Sequence, residues 1–87
     1  MQEDQILATI RRKLKEVFAV EEDQITLRTH YKNDLGAESL DLITLLMELE
    51  DDFSAEISDE EAESLTTVGE TVALIKSKLN DPIGNPG

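Results

Sequence analysis

The sequence predicts an all-α protein, a small bundle of three main helices and one short third helix with a long loop after the first. Three observations indicate this class. The 87 residues suffice for one domain, and the aliphatic residues recur at helical spacing. The only aromatic residues are Phe18, Tyr31 and Phe53, whereas a sheet favours more aromatic and β-branched residues. Because the chain has no cysteine, no disulfide stabilises this fold.

The first helix is predicted from about Glu3 to Phe18. Its apolar residues recur every three or four positions and are Ile6, Leu7, Ile10, Leu14, Val17 and Phe18. Residues 19–38 lose this periodicity, so we expect a long loop there. Its four apolar side chains are expected to hold it to the core, and these are Ile25, Leu27, Tyr31 and Leu35. A loop of this length in a small domain tends to be functional.

The second helix is predicted from Ser39 or Leu40 to Phe53, and it has two apolar faces. The face expected in the core contains Leu42, Leu45, Leu46, Leu49 and Phe53. The other face contains Leu40, Ile43 and Met47 and lies roughly 140° away around the helix. Too few segments remain to cover both faces, so we expect the second face to be an exposed apolar stripe.

Two further helices are predicted after the second. A short one covers Asp59–Ser64, with Ser58 as its N-cap. The last begins at Thr67, where Thr67 and Glu70 match a capping box, and Asn80 and Pro82 end it. Its buried residues are expected to be Val68, Val72, Ile75 and Leu79. We therefore expect residues 1–79 to form the domain and residues 80–87 a flexible C-terminal tail.

The charge of the chain is strongly negative and unevenly distributed. The formal net charge is −12, from 20 acidic and 8 basic residues. Between Asn33 and Glu63 there is no Lys or Arg, but there are twelve acids: Asp34, Glu38, Asp41, Glu48, Glu50, Asp51, Asp52, Glu56, Asp59, Glu60, Glu61 and Glu63. Such a surface repels nucleic acid and anionic membranes and attracts partners with a basic patch.

The first residues and the hydropathy pattern indicate where the protein resides. The N-terminal residues MQEDQ are acidic, where a signal peptide requires a basic region. No apolar run approaches the length that spans a membrane. We expect a cytoplasmic protein with no membrane insertion.

The residues needed for catalysis or for a specific metal site are missing from the sequence. His30 is the only histidine and has no partner in the sequence. Ser39 lacks the G-x-S-x-G frame of a hydrolase nucleophile. One histidine without cysteine does not form a zinc site, and the acidic stretch DDFSAEISDEE lacks the glycine of a calcium loop. We therefore predict a non-catalytic protein that binds divalent ions only loosely.

Ser39 stands where the turn containing Gly36 meets the second helix. Serine is a favoured N-cap residue, and most serines at helix starts do nothing else. A helix N-terminus is also a favourable place for a phosphate group, because its N–H groups are unpaired. These residues alone favour the capping role and leave a phosphodiester on Ser39 as the alternative.

The segment DLGAESLDLITLLMELEDDFSAEISDEEAESLTTV closely resembles the acyl carrier protein family. The family signature is D-x-G-x-D-S-L at the start of the second helix. Its positions here are Asp34, Gly36, Glu38, Ser39 and Leu40, followed by Asp41. The resemblance runs without gaps from about Tyr31 to Ile75, and it implies a four-helix bundle with a short third helix.

The resemblance also implies a prosthetic group and a set of partners. Ser39 would be esterified by 4′-phosphopantetheine from coenzyme A, in a reaction of a phosphopantetheinyl transferase. The terminal thiol of this arm would carry acyl groups as thioesters. Acyl-transfer and chain-elongation enzymes with basic docking patches would be the other partners of a monomeric carrier. The implied partner face comprises Leu40, Asp41, Ile43, Met47, Glu50, Asp51, Glu56, Ile57, Asp59, Glu60 and Glu63.

Two positions depart from the family pattern. Glu38 replaces the usual Asp before the serine, which bears on the choice of transferase. Thr44 stands one residue after Ile43, where carriers of fatty-acid synthesis usually have an acid. The pathway expected is fatty-acid or related acyl-chain biosynthesis. The alternatives are a specialised carrier of polyketide or aminoacyl units and an unmodified acidic scaffold of the same fold.

Overall fold

A computed structural model of the chain describes residues 2–80, apart from the side chain of Asn80. Its helices are α1 (Glu3–Phe18), α2 (Ser39–Phe53), α3 (Asp59–Ser64) and α4 (Val68–Asn80). A short 3-10 helix over Glu22–Gln24, which was not predicted, interrupts the long loop. The predicted all-α class and the four helices are confirmed. Residues 81–87 of the predicted C-terminal tail lie outside the described residues.

The core lies where α1 meets α2 and α4, and α3 packs on α2. Fully buried aliphatic residues from these helices fill it, among them Ile6, Ile10, Leu14, Leu45, Leu49, Val68 and Ile75. Val17 shares the helical spacing of these residues but is 37% exposed, in the last turn of α1. Helix α1 ends at Ala19, which takes up the left-handed conformation with φ of 58°.

The long loop is held to the core by two of its four predicted apolar anchors. Ile25 is fully buried and Tyr31 is 1% exposed. The Tyr31 hydroxyl lies 2.6 Å from the Thr71 hydroxyl of α4. The Arg11 Nε donates to the Ile25 carbonyl over 2.8 Å. These two bonds join the loop to α4 and to α1.

The expectation that Leu27 is a buried anchor was wrong, and Leu35 is only half-buried. The Leu27 side chain is 45% exposed, and its backbone makes the contact with α4 instead. The Gly69 N–H donates to the Leu27 carbonyl over 2.8 Å, and the Val68 N–H donates to the Thr29 carbonyl over 2.9 Å. Loop carbonyls thus pair N–H groups at the start of α4, which have no partner within the helix.

Capping boxes begin the last two helices; the Thr67–Glu70 box and the Ser58 cap were predicted, whereas the partner of Ser58, Glu61, was not. Thr67 and Glu70 exchange hydrogen bonds of 3.1 and 3.3 Å before α4. Glu70 also accepts from the Thr66 hydroxyl and N–H, each at 2.6 Å. The Thr66 hydroxyl, followed by the two N–H groups, lowers the pKa of Glu70. Ser58 and Glu61 exchange bonds of 2.9 and 3.1 Å before α3.

Candidate functional site

A closed turn precedes Ser39 and contains the first two signature residues. The His30 N–H donates to the Asp34 carboxylate over 2.7 Å, and the Asp34 N–H donates back to the His30 carbonyl over 2.9 Å. The Gly36 N–H donates to the Lys32 carbonyl over 3.0 Å. Gly36 has a φ of +67°, which side chains disfavour, although its surroundings leave space for one. Asp34 and Gly36 therefore shape the turn that positions the serine.

This turn is fixed to the core through Tyr31. The Ala37 N–H donates to the Tyr31 carbonyl over 2.9 Å, and the Tyr31 N–H donates to the Thr66 carbonyl over 3.0 Å. Ala37 itself is buried. The backbone two residues before Ser39 is therefore held against the bundle.

Ser39 is the first residue of α2, and the prediction that it caps the helix was wrong. The cap is Glu38, whose backbone is extended and which forms a capping box with Asp41. The Glu38 N–H donates to the Asp41 carboxylate over 3.1 Å, and the return contact to the Glu38 carboxylate is looser. Because Glu38 takes the cap position, the Ser39 side chain is exposed and its hydroxyl has no hydrogen-bond partner within residues 2–80.

A cavity of about 180 Å³ opens beside Ser39. Its apolar lining comes from Leu42 and Ile43 of α2, Ala62 of α3, Leu65 after α3, and Tyr31 and Ala37 of the loop. Leu42 was expected fully within the core but is half-buried, because it borders this cavity. The polar residues of the lining are His30, Lys32, Glu38, Ser39, Glu63 and Thr66. The serine thus stands at the edge of a small apolar space between α2 and α3.

The predicted apolar stripe of α2 is exposed. Leu40 is 75% exposed, Ile43 is 40% exposed and Met47 is 61% exposed. The stripe begins next to Ser39 and follows α2 away from it. Exposed side chains of this size on one face are typical of a contact surface.

Ile57 and Glu50, both expected on the partner face, act within the fold. Ile57 is buried, with 9% exposure, because its side chain packs into the core next to the α2–α3 connection. The Ile57 N–H donates to the Glu50 carboxylate over 2.9 Å. Glu50 therefore holds the connection between the two helices, and the assignment of Ile57 to the partner face stays a prediction.

Other acids pair with lysines. Lys13 of α1 lies 3.3 Å from both Glu48 and Asp52 of α2. Burial works against its charge, but the hydrogen bonds to these two carboxylates raise the pKa of Lys13. Lys78 of α4 lies 3.0 Å from Glu61. These pairs join α2 and α3 to the other helices.

The remaining acids of the expected partner face point outward. They are exposed and form no ion pair among the described residues; they are Asp51, Glu56, Asp59, Glu60 and Glu63. Asp41 is half-buried in its capping box. Together with the apolar stripe, these acids form one surface of α2 and α3, which we call the acidic face.

Residues 2–80 contain neither a cluster of metal-binding side chains nor a helix that could span a membrane. No group of three or more His, Cys, Asp or Glu side chains is arranged to hold a metal ion in this part of the chain. Within the same residues, every helix is too short or too polar to cross a membrane.

Comparison with known proteins gives one consistent result. Residues 8–75 match the family described as "Phosphopantetheine attachment site". The acyl carrier protein of Lactobacillus acidophilus is 46% identical over 77 residues, which cover 88% of this chain and 96% of that protein. The acyl carrier protein of Lactobacillus johnsonii is 46% identical over 80 residues, covering 92% of this chain and all of that protein.

A solved structure agrees with these sequence matches. The acyl carrier protein of Enterococcus faecalis superposes with a TM-score of 0.77 at 38% identity, and the match covers 90% of this chain and 99% of that one. The family match and the relatives cover nearly the whole described bundle, and the cofactor that such carriers bear is 4′-phosphopantetheine. The chain belongs to the acyl carrier protein family.

Proposed function

We propose that Ser39 is the attachment site of 4′-phosphopantetheine and that this chain carries acyl groups between enzymes of fatty-acid or related acyl-chain biosynthesis. The observation that carries the proposal is the Ser39 hydroxyl, which is exposed, without a hydrogen-bond partner among residues 2–80 and adjacent to a cavity. When bound, the arm supplies a terminal thiol that holds acyl groups as thioesters. Since the chain has no cysteine, the arm would provide its only thiol.

The residues around Ser39 present it to a transferase in a fixed position. Gly36 closes the turn, and Glu38 and Asp41 begin α2 one residue before and two residues after the serine. Because Ser39 lies on the first turn of a packed helix, little conformational entropy is lost when a partner binds its hydroxyl. These contacts support the role of the signature residues Asp34, Gly36, Glu38, Leu40 and Asp41 in presenting the serine.

The acidic face is the proposed docking surface for the transferase and for the enzymes that load, extend and remove the acyl group. Its unpaired carboxylates would steer enzymes with basic patches, which raises association rates and weakens with salt. Its apolar stripe of Leu40, Ile43 and Met47 would add a small buried contact. A contact of this size suits complexes that dissociate after each step.

The cavity beside Ser39 is the proposed entry point for a bound acyl chain. Its apolar lining comes from both α2 and α3, so an acyl chain that enters between Leu42 and Ala62 would move towards Leu46 in the core. Chemical shifts of methyl groups at Leu46 and Ala62 are expected to move when an acyl group is loaded. Unchanged shifts at both residues would contradict this part of the proposal.

The proposal describes a non-catalytic, monomeric and cytoplasmic carrier. Partners perform the chemistry, and the chain holds the substrate near their active sites, where tethering raises its effective concentration. Polyketide or aminoacyl cargo would use the same serine, and the mass of the thioester that co-purifies with the chain distinguishes these cargoes.

The decisive experiment is the intact mass after incubation with coenzyme A and a broad-specificity phosphopantetheinyl transferase. The wild type and Ser77→Ala, a matched control at an exposed serine of α4, are expected to gain one arm. Ser39→Ala is expected to gain none. An arm on Ser39→Ala would overturn the assignment of the serine.

A wild type that gains no arm would point either to an unmodified scaffold or to a transferase that requires Asp before the serine. Glu38→Asp separates these outcomes, because it restores the usual carboxylate position. If Glu38→Asp also gains no arm, the scaffold becomes the better description.

A further inference from the structure

Lys32 is a permanently charged basic residue in the lining of the cavity that contains Ser39. It lines the same cavity as Ser39, and the described lining contains no other Lys or Arg. Along the chain, the next Lys or Arg after Lys32 is Lys76. The lining that contains the serine therefore includes one permanent cation, Lys32, together with the carboxylates of Glu38 and Glu63.

The backbone fixes Lys32 in this place. The Gly36 N–H donates to the Lys32 carbonyl, and the Ala37 N–H donates to the adjacent Tyr31 carbonyl, over 3.0 and 2.9 Å. The backbone of Lys32 is thus bonded to the turn that leads into Ser39. Its side chain is exposed and has no ion-pair partner among the described residues, unlike Lys13, Lys76 and Lys78.

An anion on Ser39 would meet an unfavourable local charge. Glu38 and Asp41 flank the serine, and Glu63 lines the same cavity from α3. In the capping box the Glu38 N–H donates to the Asp41 carboxylate, so the negative charge of Asp41 is held at the start of α2. A phosphodiester carries one negative charge, so it would be repelled by the three carboxylates unless a cation lies close.

His30 also lines the cavity. Its Nδ1 accepts the Asn33 N–H over 3.2 Å, so this nitrogen is engaged within the loop. Lys32 has no such partner and carries a permanent charge, which makes it the better candidate to pair with an anion on Ser39.

We propose that Lys32 pairs with the phosphodiester of the arm on Ser39 and holds the first part of the arm over the mouth of the cavity. This inference rests on the proposed attachment at Ser39. Lys32 would be a positioning residue, because it contacts the non-reacting phosphate and leaves the thiol free. An exposed pair contributes about 0.2–1 kcal/mol, which corresponds to a change of about 1.4- to fivefold in an equilibrium constant.

The test compares apo and holo forms of the wild type, Lys32→Gln and Lys32→Arg. Arg28→Gln is the matched control, because Arg28 is an exposed cation of the same loop that does not line the cavity. Intact mass first establishes that each holo protein carries one arm. Urea unfolding then gives the ratio of apo to holo unfolding constants, and ³¹P NMR reports the environment of the phosphodiester directly.

We expect Lys32→Gln to reduce the stabilisation by the arm about 1.4- to fivefold at low salt and to shift the ³¹P resonance. Lys32→Arg should restore both values, and Arg28→Gln should change neither. The difference in stabilisation between the wild type and Lys32→Gln should become smaller in about 0.5 M salt, because salt screens an exposed ion pair. Equal ratios and equal ³¹P shifts for Lys32→Gln and Arg28→Gln would overturn this inference alone. If only Glu38→Asp gains the arm, the same comparison is made in that background. If Glu38→Asp also gains none, the proposed function fails and this inference fails with it.

Discussion

The hydrogen bond between Tyr31 and Thr71 offers the sharpest test of how the loop is held to the bundle. Its hydroxyl oxygens lie 2.6 Å apart, and the two residues are 40 positions apart in the chain. Tyr31 is 1% exposed and Thr71 is fully buried. The Thr71 hydroxyl has one other bond, a long one of 3.4 Å to the Thr67 carbonyl. Removal of either hydroxyl therefore leaves the other poorly paired and away from water.

We expect Tyr31→Phe and Thr71→Val each to lower the free energy of unfolding by about 1–2 kcal/mol, the usual cost of a buried polar group without a partner. The double variant should lose clearly less than the sum, because two apolar groups of the same shape replace the pair. A coupling free energy of about 1 kcal/mol is expected. Urea unfolding of the apo protein at pH 7, followed by far-ultraviolet circular dichroism, measures all four proteins.

The pH dependence gives an independent reading of the same bond. Burial raises the pKa of Tyr31 to about 12 from the usual 10.0, although the bond to Thr71 partly opposes this rise. The folded state thus favours the neutral phenol, so its contribution is complete below pH 10 and is lost as the pH rises towards 12. This rise in the pKa of Tyr31 corresponds to at most about 2–3 kcal/mol of the free energy of unfolding.

The difference between the wild type and Tyr31→Phe isolates this contribution, because all other titrating groups are the same in both proteins. Stability of the wild type should fall more steeply above pH 10 than that of Tyr31→Phe. Parallel pH profiles, or strictly additive losses in the double variant, would refute the view that the two hydroxyls act as one buried pair.

Three further predictions concern the backbone and the acids. Gly69→Ala should lower the free energy of unfolding by at least about 1 kcal/mol in urea, because its Cβ would lie 2.7 Å from the loop carbonyl that accepts the Gly69 N–H; an unchanged midpoint would contradict this contact. Ala19→Gly should raise the free energy of unfolding by about 0.5–1 kcal/mol, because glycine adopts the positive φ of this C-cap position without strain. Ala8→Gly, inside α1, should lower it by a similar amount. A lower stability of both variants would contradict the expected benefit of glycine at position 19. Glu50→Ala should lower the free energy of unfolding by about 1 kcal/mol, because it removes the acceptor of a partly buried N–H. Asp51→Ala should change this free energy by less than about 0.5 kcal/mol but should slow association with a basic transferase in stopped-flow measurements. A stability loss for Asp51→Ala and none for Glu50→Ala would contradict the division between structural and outward-pointing acids.

Periodicity predicted the helices and the exposed stripe because those features depend on local spacing. The two faces of α2 follow from the order of its leucines, and the boxes at Ser58 and Thr67 follow from side chains three residues apart. Thr71 was missed although the pattern contained a signal: it lies between Val68 and Val72 on the buried side of α4. An apolar pattern alone does not reveal a polar residue that pairs across the core.

The two main errors have different physical causes. The Leu27 side chain was predicted to be buried, yet the contact with α4 uses the Leu27 carbonyl. That outcome depends on how the loop packs on a helix distant in the sequence, and the spacing of apolar residues carries no information about that. Ser39 was predicted to cap α2, yet the Glu38–Asp41 box takes the cap, and this error arose from a local pair of carboxylates that competes with the serine.

The acids of α2 and α3 show how one composition can serve two purposes. Glu48, Asp52 and Glu61 pair with lysines of the other helices and thereby hold α2 and α3 in the bundle. Their charges are compensated within the fold, so they add little to the field that a partner meets. The outward-pointing acids have no such compensation, and the field at the surface comes mainly from them. Sequence alone assigns all these acids one role because it shows only their sign. Their pairing in the fold is what separates a structural carboxylate from one available to a basic partner, and neighbouring residues of α2 fall on opposite sides of that division.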